Sequence, residues 1–293
     1  MIIDGHAHLW QPSRGFDIKP VREQPIFQRD FLLPELAACC SACGIQHVVI
    51  TQSAPQLLET QFLLDYCRDR PMVVGVTGWV DLAAPDVGAV LDRLMAEPKF
   101  VGVRAQLRRM PDGFVERPEV QRGLAELAAR GLSVVLLAEA RHWAGCLRML
   151  ETQPSLVAVL NHGGMPDLVG GDMAQWRSAM AAFARRTTAA SQLSGFVTLA
   201  GPSWTVPLLE LVIGHLLDHF GAGRLMFTSD WPMTERNASY ARWWDAFNGI
   251  VERFGLGADE RDLIFGGVAR RLHRLDAPGR LPAAAQSGSP HAT

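Results

Sequence analysis

No charge excess of either sign marks this chain. Its 293 residues carry 28 Lys and Arg against 30 Asp and Glu, a formal balance of -2. No long run of like charge occurs, so neither nucleic acid nor a membrane surface is an expected partner. Cysteine is also scarce, with Cys39, Cys40, Cys43, Cys67 and Cys146 alone. An odd count in so long a chain is no disulfide framework, and free thiols fit a reducing compartment. Cys40 and Cys43 form a C-x-x-C inside a helical pattern, without the second pair a zinc site would need, and read as buried small residues. Apolar stretches are short and interrupted, below the roughly 20 residues of a spanning helix. The first residues lack the basic start and long apolar run of a signal peptide. Cytoplasmic residence is therefore the expectation. No Gly-x-Gly-x-x-Gly follows an early strand, which removes the dinucleotide fingerprint, and no organic cofactor is expected.

What the chain does have is alternation. With 48% apolar residues it can bury a sizeable core. Short β-rich runs fall at 2–8, 46–52, 72–78, 100–105, 132–138, 156–161, 191–197 and 225–230. Helical periodicity lies between them, near 33–43, 56–69, 84–96, 117–130, 141–152, 173–188, 206–220 and 238–253, with a last helix at 259–274. Runs such as Val48-Val49-Ile50 and Val134-Val135-Leu136-Leu137 suit parallel strands covered on both faces. Eight such units predict an α/β fold, a single (β/α)8 barrel over residues 1–276. The Pro-, Ala-, Ser- and Gly-rich stretch 277–293 reads as a disordered tail. The long connection from Leu9 to Asp30 reads as a lid.

The chain begins Met1-Ile2-Ile3-Asp4-Gly5-His6-Ala7-His8-Leu9-Trp10, an apolar strand ending in His-x-His. Residues two apart on a strand share a face, so His6 and His8 aim two imidazoles at one spot. In a barrel, chemistry collects at the C-terminal strand ends. Those ends carry Gln52, Trp79, Arg104 and Gln106, Glu139, and His162 in Asn161-His162-Gly163-Gly164. The seventh carries Gln192 and Ser194 near its start, and the eighth carries Asp230 in Thr228-Ser229-Asp230-Trp231-Pro232. Asp230 is the candidate general base, with a helix N-cap as its bland alternative. His162 reads as a metal ligand or a proton donor, or as a partner of backbone in a Gly-rich turn. Arg104 needs an anionic or carbonyl partner, from substrate or from a structural ion pair. Glu139 reads as a metal ligand or as a partner of Arg141 or Arg104. His215 and His219 share a face of an outer helix but have no His-Glu-x-x-His context, and read as surface residues.

Taken in order, Ile3–Trp10, Val101-Gly102-Val103-Arg104, Asn161–Pro166, Leu193-Ser194-Gly195 and Met226–Pro232 resemble the amidohydrolase superfamily, in its amidohydrolase-2 branch that contains sugar lactonases. The chain departs from that pattern at Asn161, where relatives usually have Asp, at Gln192 for a frequent Lys, at Val268 for a frequent Asn, and at Glu139.

The resemblance implies hydrolysis of a cyclic ester, sugar-derived or muconate-type, with His6, His8, His162 and Asp230 at the centre. Asp230 would activate water, the imidazoles would polarise the carbonyl directly or through a divalent ion, and Arg104 would orient the substrate. Zinc or manganese would be held by His6, His8, Glu139, His162 and Asp230, although the branch includes members that work without metal. Trp10, Gln52, Trp79, Arg104, Gln106, Gln192 and Trp231 would contact the lactone. Two alternatives stay open: a metal-dependent decarboxylase of an aromatic or muconate-type acid, and a non-catalytic barrel. A homo-oligomer is compatible with the sequence.

Overall fold

Among the described residues every strand is almost wholly buried, most are apolar, and each ladder is parallel. The computed structural model describes residues 1–170 and 173–281. The strands are β1 Ile3–Ala7, β2 His47–Thr51, β3 Val73–Gly78, β4 Phe100–Ala105, β5 Ser133–Leu136, β6 Val157–Leu160, β7 Ala190–Leu193 and β8 Leu225–Phe227. They form one eight-stranded sheet in sequence order. Among the described residues no ladder joins β8 to β1, leaving one seam. Two backbone bonds cross it just above the strands, Asp230 N–H to the His6 carbonyl at 2.9 Å and His8 N–H to the Trp231 carbonyl at 2.6 Å. The result is the (β/α)8 barrel expected from the alternation.

A layer inside the barrel draws one residue from each strand: Ile3, Val49, Val74, Val101, Val135, Val159, Ala190 and Met226. Such a ring of apolar side chains, mostly β-branched, makes the interior a packed core rather than a pore. Val268, Ala269, Leu275 and Leu281 close it from below. The stretch beginning at 277 therefore starts inside this floor. Arg280 donates to the carbonyls of Pro98, His273 and Phe100, and Leu281 is buried. The rest of the expected tail, 282–293, lies outside the described residues.

Outside the strands, the helices Leu33–Ala42, Leu57–Cys67, Val87–Met95, Pro118–Ala129, Ala140–Thr152, Met173–Arg186, Val206–Phe220 and Tyr240–Arg253 turn one apolar face inward. Leu36, Leu63, Leu91, Leu127, Cys146, Met180, Leu216 and Phe247 are the fully buried anchors of these faces. Truncating one of the larger anchors to Ala costs roughly 2–5 kcal/mol. Among the described residues, no helix is long and apolar enough to cross a membrane.

Two strands stop three or more residues short of the expectation, and both differences shape the cavity. The seventh strand, expected over 191–197, stops at Leu193 because Gly195 takes a left-handed φ of 72° and caps a new turn, Phe196–Ala200. Gln192 and Ser194 thus sit at the end of β7 rather than near its start. The eighth strand, expected to reach 230, stops at Phe227, and Asp230 itself has φ 57°.

Candidate functional site

A bulge aims the first two imidazoles. Along β1 the pairing advances from Asp4 to Ala7 while β2 advances only from Val48 to Ile50, so β1 carries one extra residue. One added residue flips the faces beyond it. Ile3 points into the barrel floor, and above the bulge His6 and His8 point into the barrel mouth.

There the structure brings His6, His8, His162 and Asp230 together. Asp230 Oδ1 lies 3.7 Å from His6 Nε2, 3.4 Å from His8 Nε2 and 3.8 Å from His162 Nε2. The two Nε2 atoms of His6 and His8 are 3.1 Å apart. The far nitrogen of each ring is held: His6 Nδ1 by Thr51 Oγ1 at 3.1 Å, His8 Nδ1 by the Thr51 carbonyl at 2.7 Å and Ser53 Oγ at 3.1 Å, and His162 Nδ1 by Ser194 Oγ at 3.0 Å. A carbonyl only accepts, so His8 Nδ1 carries the proton, and in the neutral ring the Nε2 lone pair faces Asp230.

Asp230 Oδ1 is buried and has no hydrogen-bond partner among the described residues. An orphaned carboxylate oxygen facing imidazole lone pairs is the place for a cation. The separations lie near the roughly 3.3 Å edge of a tetrahedron with nitrogen and oxygen ligands at about 2 Å. The donor set thus fits a divalent ion, and the ligand atoms of His6, His162 and Asp230 all fall within 4.8 Å of one another.

Burial drives the His6 pKa well below its ordinary value, with neighbouring His8 and Arg104 adding to the effect. It also takes His162 down to about 4, against the pull of Asp230. Burial alone would raise Asp230. The neighbouring His162, His8 and Arg104 side chains outweigh it and hold the carboxylate below its ordinary value. At neutral pH the centre is therefore an ionised carboxylate beside unprotonated His6 and His162 rings.

Arg104 reaches the same cavity along a line of neutral amides. Its Nε donates to Asn161 Oδ1 at 3.0 Å and its NH1 to the Gln52 carbonyl at 3.3 Å. Asn161 in turn donates to Gln192 Oε1 at 2.6 Å, and Gln106 donates to Gln52 Oε1 at 3.0 Å. Burial lowers Arg104 to about 10, so it remains a cation at neutral pH. Among the described residues no carboxylate forms an ion pair with it.

The cavity above these groups has a volume of about 310 Å³. Trp10, Arg104 and Gln106 line it as expected, and Ile18, Lys19 and Pro20 of the Leu9–Asp30 connection form part of its wall. An ion pair at 3.0 Å between Asp17 and Arg109 ties that connection across the mouth. Gln52 and Gln192 are buried behind the lining and act on it only through Arg104, Gln106 and Asn161. Trp79 lines a separate small cavity with Val80, Leu82 and Phe114. Trp231 is fully buried away from the cavity, its ring on Phe31 and its Nε1 donating to Glu235 at 2.8 Å. Glu139 borders the cavity but not the imidazole cluster. It pairs with Arg108 at 3.3 Å and Arg141 at 3.7 Å and caps the helix Ala140–Thr152. His215 and His219 lie on the outer helix Val206–Phe220 and do not line the cavity.

Sequence reasoning did not assign roles to Asp4, Thr51 or Ser53. Their signal was faint: Asp4 is a charge inside an apolar run, and Thr51 and Ser53 are ordinary polar residues at a strand end.

The amidohydrolase family model matches residues 3–275. The chain belongs to the amidohydrolase family. Two curated relatives, named L-fucono-1,5-lactonase in Burkholderia ambifaria and Burkholderia multivorans, are each 31% identical to this amidohydrolase, covering 94% of it and 96% and 97% of themselves. A solved amidohydrolase from Burkholderia multivorans with bound zinc superposes with a TM-score of 0.84 at 30% identity, over 94% of this chain and 99% of that one.

Proposed function

We propose that this amidohydrolase opens a lactone, sugar-derived or muconate-type, to its hydroxy acid in the cytoplasm. The observation that carries the reading is Asp230 Oδ1, buried without a hydrogen-bond partner, 3.4 to 3.8 Å from three imidazole nitrogens at the base of the cavity. The lactonase names of the two curated relatives support the cyclic ester as substrate.

In this reading the Asp230 carboxylate takes a proton from a water molecule, whose oxygen attacks the ring carbonyl. The oxyanion that forms faces the Arg104 guanidinium, held in place beforehand by Asn161 and Gln52. As the ring carbon–oxygen bond breaks, Asp230 returns the proton to the departing alkoxide. A divalent ion, zinc or manganese, held by His6, His8, His162 and Asp230 would act as a Lewis acid on carbonyl and water. Glu139 stays outside that set, engaged with Arg108 and Arg141. Trp10, Leu137, Leu199 and Met233 supply apolar walls for a ring, while Gln106, Arg108 and Arg109 offer donors to its substituents.

A panel of aldonolactones and muconolactones, followed by acid release with a pH indicator, tests the reading. At least one ring should open with one equivalent of acid. Carbon dioxide release from an aromatic or muconate-type acid, with every lactone intact, would overturn it in favour of a decarboxylase.

A further inference from the structure

The strained turn that presents Asp230 leans on a carboxylate outside the cavity. Asp230 adopts φ 57°, a conformation that costs an L-residue of order 1 kcal/mol unless its surroundings impose it. The turn's polar groups are accounted for almost one by one. Trp243 Nε1 donates to the Thr228 carbonyl at 3.0 Å, Thr234 Oγ1 to the Ser229 carbonyl, Trp231 N–H to Ser229 Oγ at 3.0 Å, and Asp230 N–H to the His6 carbonyl at 2.9 Å. The Ser229 N–H goes to Asp4 Oδ1 at 2.8 Å.

Asp4 is fully buried on the outward side of β1 and does not line the cavity. The same Oδ1 also accepts the His6 N–H at 3.2 Å, and Oδ2 accepts the Tyr240 hydroxyl at 2.9 Å. One carboxylate oxygen therefore holds the N–H of Ser229, the residue before Asp230, and the N–H of His6, across the seam where, among the described residues, no strand ladder does so. At that seam a side chain occupies the place a neighbouring strand's carbonyl would take.

We propose that Asp4 is a positioning residue for Asp230, acting through the Ser229 peptide to hold the carboxylate over the imidazole cluster. The inference rests on Asp230 being the base. Removing Asp4 leaves a buried N–H unpaired and frees the turn to relax toward negative φ. A shift of about 1 Å in the base then costs on the order of a hundredfold in turnover. Tyr240, on the far oxygen, holds Asp4 but not the turn.

The test compares Asp4→Ala, Asp4→Asn and Tyr240→Phe in the full chain. Asp4→Ala should lower kcat about a hundredfold with KM changed less than about threefold, and amide hydrogen exchange at Ser229 and Asp230 should accelerate. Asp4→Asn keeps an oxygen for the Ser229 N–H and should recover kcat to within about tenfold, with exchange at Ser229 still slow. Tyr240→Phe should lower the melting temperature while keeping kcat within about twofold.

Equal losses of kcat in Asp4→Ala and Tyr240→Phe, tracking stability alone, would overturn the proposal, as would unchanged exchange at Ser229 in Asp4→Ala. Should Asp4→Ala fail to fold, Asp4→Asn with slow Ser229 exchange but kcat as low as that of an unfolded variant would equally reject it. The exchange measurement needs no substrate. An absence of lactone turnover in the wild type would thus sink the lactonase reading without touching this one.

Discussion

The backbone N–H of Asp230 donates to the carbonyl of His6 across 2.9 Å, so the carboxylate and the first imidazole are joined peptide to peptide over the barrel seam. The Asp230 side chain contributes nothing to that joint, because its Oδ1 has no hydrogen-bond partner among the described residues. Asp230→Asn should therefore keep the fold while removing the charge that accepts a proton. The expected loss in kcat on an established lactone is on the order of a thousandfold or more, with the circular dichroism spectrum unchanged. A variant retaining near wild-type kcat would remove Asp230 from the role of base.

The imidazole cluster makes a prediction about metal content. Protein purified without added metal should carry about one divalent ion per chain by elemental analysis, as expected of a three-nitrogen, one-oxygen donor set. Dialysis against a chelator should strip the ion, and zinc or manganese should restore it. His6→Ala should lower the bound metal about tenfold or more at equal free metal, since a ligand is lost. Full activity in protein shown to be free of metal would exclude a metal-dependent reaction.

The cluster itself was legible because its members follow apolar strands: His6 and His8 after Ile2-Ile3, His162 after Val157–Leu160, Asp230 after Leu225–Phe227. The β1 bulge was not. Strict alternation puts Ile3 on the face opposite His6 and His8, and only the register shift against β2, Asp4 to Ala7 beside Val48 to Ile50, shows how all three come to face inward. Glu139 stayed open between a metal ligand and a partner of Arg141 or Arg104 for a similar reason, since a polar residue after β5 does not announce that Arg108 and Arg141 will close on it. Trp79 and Trp231 were expected as cavity walls because they follow strands. A tryptophan satisfies its ring and its N–H equally well inside the surrounding core, and Trp231 does so between Phe31 and Glu235. The early end of β7 rests on one backbone angle, at Gly195, which no periodicity reveals.

Gly195 supports His162 directly. With φ 72°, an added Cβ would fall 2.7 Å from the imidazole Cγ and Nδ1. Gly195→Ala should therefore do two separable things. Backbone strain should lower stability by about 1–2 kcal/mol. Displacement of the ring from Ser194 and Asp230 should lower kcat roughly 10- to 100-fold. Gly44→Ala is the control, because Gly44 has φ 71° with nothing within 4 Å of the added carbon. It should share the loss of stability, read from urea melts, and keep full turnover.

Beneath the barrel, His273 couples stability to pH. Its Nδ1 contacts Ser133 Oγ at 3.0 Å, Ser133 donates onward to the Val101 carbonyl at 3.2 Å, and His273 Nε2 is buried with no hydrogen-bond partner among the described residues. Burial, with Arg280 nearby, takes its pKa down to about 4. An unfolded histidine binds its proton near 6.5. Between those values the unfolded chain holds a proton that the folded chain does not, so stability falls as pH drops from about 6.5 to 4 and is constant with respect to this group above 6.5. The full effect is about 3 kcal/mol. His273→Gln cannot take up that proton and should show a shallower loss of stability between pH 7.5 and pH 4.5 in urea melts. Parallel curves for wild type and variant would show that the floor of the barrel is not where acid acts.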